Sequence, residues 1–163
     1  MLSRTGGALA ATTLALGALV GLAAPASAAS TYKSDECTSS DNDYCMTLFY
    51  NSNTGGAIWA SSCFIASKSI PDYAGYYAGD GIQVYYVFAQ RNEIYNQLGY
   101  CNSGSGSGQA VKNNGAAASN NIGRTWRVHY NSNYGGVYQT IASGAIKNLN
   151  SSLKNENASG KML

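Results

Sequence analysis

Apolar and polar positions alternate cleanly near the end of the chain. Trp126, Val128 and Tyr130 alternate with Arg127 and His129. A period of two predicts a strand with one buried face. Residues 131–136 interrupt it with Asn and Gly, where Gly135 or Gly136 can take positive φ. Residues 137–141 predict the returning strand, and Ser143-Gly144 ends it. Residues 149–154 predict another short strand and 155–159 a polar turn. An earlier segment reads the same way, with a strand over 44–50, a turn over 51–56 and a return over 57–60. No long stretch carries a helical period, so the pattern predicts an all-β domain.

The two segments are copies. Residues 50–56 read YNSNTGG and residues 130–136 read YNSNYGG. A repeat of this kind implies two versions of one supersecondary unit packed together. The closing parts also match, with QAVKN at 109–113 set against SSLKN at 151–155. The copies lie 80 residues apart at the turns and 42 apart at the ends. The first unit, about 44–119, therefore carries 38 extra residues, placed at about 61–106. The second unit covers about 124–159.

The insertion is rich in tyrosine. Residues 81–88 (GIQVYYVF) predict a strand and 93–98 a second, joined by 89–92 as a hairpin. Ser103 to Gly108 predicts a flexible return loop. Tyr85 and Tyr86 are its candidate binding residues, since tyrosine gives large contact area at low entropic cost. The same rings could equally complete the core.

The beginning of the chain is expected to be removed. Arg4 precedes an apolar run from about residue 8 to 22, followed by Ala26-Ser-Ala28. This predicts a secretory signal peptide over 1–28, with no membrane span, because the run is short and rich in Gly and Ala. The mature chain, 29–163, predicts one extracellular domain. Its Cys37, Cys45, Cys63 and Cys101 read as two disulfides in an exported protein. Three pairings are possible. Cys37–Cys45 with Cys63–Cys101 is favoured, because the first two bracket a short polar loop.

Charge is divided unevenly. Seven acids face three bases over 29–110, while six bases face only Glu156 from residue 111 onward. The bases are spread out, with no dense cluster, so no nucleic-acid partner is expected.

Paired strand–hairpin–strand units with an aromatic and a glycine resemble the βγ-crystallin double Greek key. That family's hairpin has an aromatic, four residues, an aromatic, one residue and glycine. Phe49, Thr54 and Gly56 match it without the second aromatic. His129, Tyr134 and Gly136 match it with the first aromatic replaced. The signal peptide, the early Cys pair, YNSNYGG and NLNSSLKNENAS further resemble small exported proteins of the actinobacterial metalloproteinase inhibitor family. The resemblance implies a βγ-crystallin-like sandwich, with the tyrosine hairpin inserted in its first unit. It also implies inhibition of secreted metalloproteases of the thermolysin type. Candidate contacts are the hairpin and the two turns, through Asn51, Asn53, Asn131, Asn133 and Tyr134.

Calcium is a second family trait. Here Lys147 occupies the first position of the usual motif, leaving Asn148 and Ser152 as weak candidate ligands and no metal expected. No cofactor motif is present. Catalysis would have to use His129, the single histidine, and its period places it beside the hairpin as a packing residue. A non-enzymatic, monomeric inhibitor is the leading expectation. A killer-toxin-like antimicrobial and a crystallin-like structural or cell-surface-binding protein are the alternatives.

Overall fold

A computed structural model describes residues 29–38, 45–54, 61–90, 101 and 104–163. The expected signal peptide lies outside the described residues. So do the expected return strand at 57–60 and the expected hairpin strand at 93–98.

The architecture is all-β. The strands are β1 (Ser30–Lys33), β2 (Asp35–Glu36), β3 (Met46–Phe49), β4 (Cys63–Ala66), β5 (Gly75–Tyr77) and β6 (Gln83–Tyr86). They continue with β7 (Ala117–Asn120), β8 (Trp126–Asn131), β9 (Gly135–Ile141), β10 (Ile146–Asn148) and β11 (Ser159–Met162). Among the described residues three sheets result, ordered β10-β7-β3-β4-β2, β11-β8-β9 and β1-β6-β5.

The duplication is visible in the pairing. In the second unit β8 and β9 form a hairpin, β11 returns beside β8, and β10 crosses to pair with β7 of the first unit. The first unit reciprocates. β3 lies between β4 and β7, and Ile70 bridges to Gly160 on β11. The exchange is sealed at the closing segments. The Asn113 amide donates to the Asn157 carbonyl at 2.7 Å, and the Asn155 amide donates to Gly115 at 2.9 Å. Asn113 and Asn155 sit at φ 61° and 60°, a left-handed conformation that asparagine tolerates. Val111 and Leu153, their counterparts two residues earlier, are both fully buried.

One core joins the sheets. Met46, Leu48, Phe64, Ala118, Trp126, Val128, Ile141 and Leu153 pack together, with Tyr73, Tyr86 and Phe88 from the inserted region. Gly160 is needed here, since a Cβ would collide with the Trp126 ring and the Tyr73 hydroxyl. β3 and β4 are buried on both faces, so neither shows polar–apolar alternation. The second face is covered by Cys45, Phe49, Cys63, Ile65, Cys101 and Ala117. The cysteines are paired as favoured, Cys37 with Cys45 and Cys63 with Cys101.

Several expectations are corrected. The described antiparallel partners of β3 are β4, inside the range assigned to the insertion, and β7. The antiparallel partner of β6 is β5, upstream of it. The strand expected at 149–154 is a turn, and the strand lies one step earlier as β10. Asn150 forces this: its side chain accepts the Ser152 amide and its carbonyl accepts the Leu153 and Lys154 amides. The return loop is pinned. Gly108 donates to Phe88, Ser62 donates to Ser105, and Gly106 at φ 83° lies against the Tyr50 ring.

Candidate functional site

The inserted sheet is small and exposes aromatic surface. β6 pairs in parallel with β1 and antiparallel with β5. Register places Tyr32, Tyr77 and Tyr85 on one face, and Val84, Tyr86 and Tyr76 on the other. The outward rings are 68%, 78% and 43% exposed. Tyr32 and Tyr85 stack at 5.9 Å between centroids. Next to them runs an open groove of about 430 Å³, lined by Tyr32, Tyr85, Val87, Ala110, Lys112 and Asn113. Its size suits a side chain or small ring.

The shelf is held rigidly from below. Glu36 is buried, yet Lys33 and Lys68 reach its carboxylate at 2.8 and 2.7 Å. The Tyr86 hydroxyl donates to the same group at 3.0 Å. Burial pushes the carboxyl upward, but the hydrogen bonds from Lys33, Lys68 and Tyr86 outweigh it and hold its pKa below the ordinary value. Burial raises the Tyr86 hydroxyl, and the neighbouring carboxylate raises it further. Thus Tyr86 is an anchor with its ring in the core, whereas Tyr85 presents to solvent. The sequence paired the two residues as one candidate; strand alternation separates them.

Residues 51–54 of the first turn and the second turn are docked on the body of the domain. The Asn53 amide donates to Asn148 Oδ1 at 2.7 Å, and Asn148 Nδ2 donates back to the Asn53 carbonyl at 2.9 Å. The Asn133 amide donates to the Pro71 carbonyl at 2.7 Å. Asn53 is therefore held by β10 of the second unit, and Asn133 by the segment that follows Ile70. Asn51 reaches Ser105 at 3.1 Å. The Asn131 carbonyl accepts from the Ser159 hydroxyl, which also accepts the Tyr134 amide. Asn148 thus has its amide engaged in the Asn53 clamp, and Ser152 sits in the Asn150 turn. Among the described residues no group of three or more His, Cys, Asp or Glu converges. None of their helices is long and apolar enough to cross a membrane.

His129 lies beneath Tyr134 and Tyr138, with ring separations of 6.1 and 5.4 Å. It is only 5% exposed, although its period assigned it to the polar face of β8. Those two rings cover it from the outside. Burial, then Arg127 and Lys161, lower its pKa from the ordinary value. The Arg127 guanidinium lies 4.3 Å over the Tyr138 ring, and the Lys161 ammonium 5.6 Å from the Tyr134 ring. This alternation of cations and rings joins residues distant in sequence, and the charge pattern gave no sign of it. Asp80 accepts the Ile82 amide in a turn.

No family model matches the chain. No curated protein matches it significantly. Among solved structures, it is similar to a βγ-crystallin from an archaeon, at 14% identity and a TM-score of 0.41, over 73% of this chain and 96% of that one.

Proposed function

We infer that this chain is a non-catalytic binding protein that engages a protein partner through the tyrosine shelf. The partner the sequence resemblance suggests is a secreted metalloprotease, which the chain would inhibit by covering its cleft. The carrying observation is the outer face of β1-β6-β5, where Tyr32, Tyr77 and Tyr85 are exposed together on a braced sheet. Tyrosines so fixed lose little entropy on binding. The Asn51–Asn53 and Asn131–Asn133 segments serve better as clamps between the units than as inserting loops, because their backbones are already engaged. A non-enzymatic role is supported by His129, whose nitrogens are covered by rings and flanked by cations, with no nucleophile or carboxylate among the described residues hydrogen-bonded to it.

Titration of the oxidised mature chain against a thermolysin-type protease tests this reading. A stoichiometric endpoint is expected. Full protease activity at micromolar excess of the chain would refute the protease as partner. The groove beside Tyr32 and Tyr85, with Lys112 and Asn113 at its border, favours one further reading, adsorption to a cell-surface glycan. Pull-down on cell-wall polysaccharide with no protease effect would mark that outcome. Growth arrest of other microbes would mark the killer-toxin-like alternative.

A further inference from the structure

The outer face of β11-β8-β9 concentrates positive charge, with no counter-charge paired to it among the described residues. Arg127 and Lys161 are direct partners in the antiparallel ladder. Like charges placed opposite one another are unfavourable for a sheet. Among the described residues neither has a carboxylate partner: the ion pairs are Lys33 and Lys68 with Glu36, and Lys112 with Asp72. The Arg127 Nε is buried with no acceptor. Beneath them His129 is more than nine-tenths buried, and both ring nitrogens lack a hydrogen-bond partner. The Gly135 backbone approaches the imidazole and pulls its pKa slightly upward, but outside hydrogen-bond geometry. The walls are Tyr134 and Tyr138. Tyr134 holds φ 63°, a left-handed conformation costly for a bulky residue, with its ring 6.1 Å from that of His129 and 5.6 Å from the Lys161 ammonium.

We propose that Arg127 and Lys161, set over His129 and walled by Tyr134 and Tyr138, form an oxyanion site that takes a sulfate or phosphate group. The guanidinium offers a planar fork of donors matched to tetrahedral oxyanions, and the ammonium supplies a second charge. The tyrosine rings favour a group carried on a sugar or similar ring. An anion here relieves the repulsion between the two cations and removes their penalty on a protonated His129. Binding and protonation are therefore linked, and the site tightens as pH falls. The groups facing His129 are Arg127 on its own strand, Tyr138 on β9, Ser159 and Lys161 on β11, and Tyr134 in the turn. Ser159 is its ladder partner and uses its hydroxyl on Asn131 and Tyr134.

The test uses the one histidine as its reporter. The His129 ring signal is titrated by NMR in the full oxidised chain with sodium sulfate, and with sodium chloride at matched ionic strength. Sulfate is expected to raise the His129 pKa saturably by about one unit, equivalent to about tenfold tighter binding at low pH than at high pH. Arg127→Gln or Lys161→Gln should raise the pKa without sulfate and abolish the sulfate response. Dextran sulfate then identifies the source of the group. A midpoint far below that of free sulfate, per sulfate group, points to a polymer, and an equal midpoint to the free ion. Equal pKa values in sulfate and chloride, or polymer binding that leaves His129 unmoved, would overturn the proposal.

Discussion

Replacing Glu36 by glutamine probes the strut beneath the tyrosine shelf. The carboxylate side chain is 1% exposed, and its lysine partners are 42% and 54% exposed. Removing one partner of a fully buried ion pair costs about 3–5 kcal/mol. Here Lys33 and Lys68 can return to water, which lowers the loss, since exposed pairs contribute about 0–1 kcal/mol. The amide oxygen can still accept from Tyr86. We therefore expect Glu36→Gln to cost about 2 kcal/mol at neutral pH, which at a urea m-value of about 1–3 kcal/mol/M moves the midpoint by about 1 M. The folded pKa of Glu36 is depressed. Its stabilisation is thus complete above the unfolded carboxyl pKa and is lost as pH falls through the folded one. Once the pH has fallen through the folded pKa the wild-type carboxyl is protonated and almost isosteric with the amide, so the two chains should converge in acid. Urea melts at neutral and acid pH read this directly. An equal gap at both, or a gap under about 0.5 kcal/mol at neutral pH, would refute the assignment of Glu36 as a charged strut.

Other consequences follow from the same geometry. Removing Cys63–Cys101, which closes a 38-residue separation, should cost more than removing Cys37–Cys45, which closes 8. Chain-entropy values are about 4 and about 2.5 kcal/mol, and thermal melts in the reverse order would contradict this. Asn155→Ala should cost about 1 kcal/mol and Asn155→Gly almost nothing, because φ is 60°; equal losses in urea melts would show that the side chain, not the dihedral, matters. Tyr77→Ser should leave the melting temperature unchanged, since its ring lies in solvent, and a clear drop would place the ring in a structural role.

Much of the duplicated frame was legible, because repetition and a two-residue period are local signals. YNSNYGG located the β8–β9 turn, and the match of 109–113 with 151–155 located two left-handed asparagines and two buried plugs, Val111 and Leu153. β4 was not read as a strand, because it is buried on both faces and loses the alternation that marks one. Asn150 was read as strand, although its side chain competes for backbone amides and makes a turn. The candidate surfaces were less legible. Tyr85 and Tyr86 are neighbours with opposite fates, decided by the pairing of β6 with both β1 and β5. Glu36 gave no sequence signal, since its partners Lys68 and Tyr86 are brought to it only by the fold. Lys161 meets Arg127 through the β8–β11 ladder, a relation that no count of charge along the chain contains.

We propose that the exposed tyrosine shelf is a protein-binding surface directed at a metalloprotease. Its most direct test is parallel titration of a thermolysin-type protease with the wild-type chain and with a Tyr32→Ser, Tyr77→Ser, Tyr85→Ser triple variant. The wild type should give a one-to-one endpoint. The triple variant should lose about 100-fold or more in affinity while keeping the wild-type melt, as expected when anchor aromatics are removed. An unchanged endpoint for the triple variant, or no inhibition by the wild type, would contradict the account.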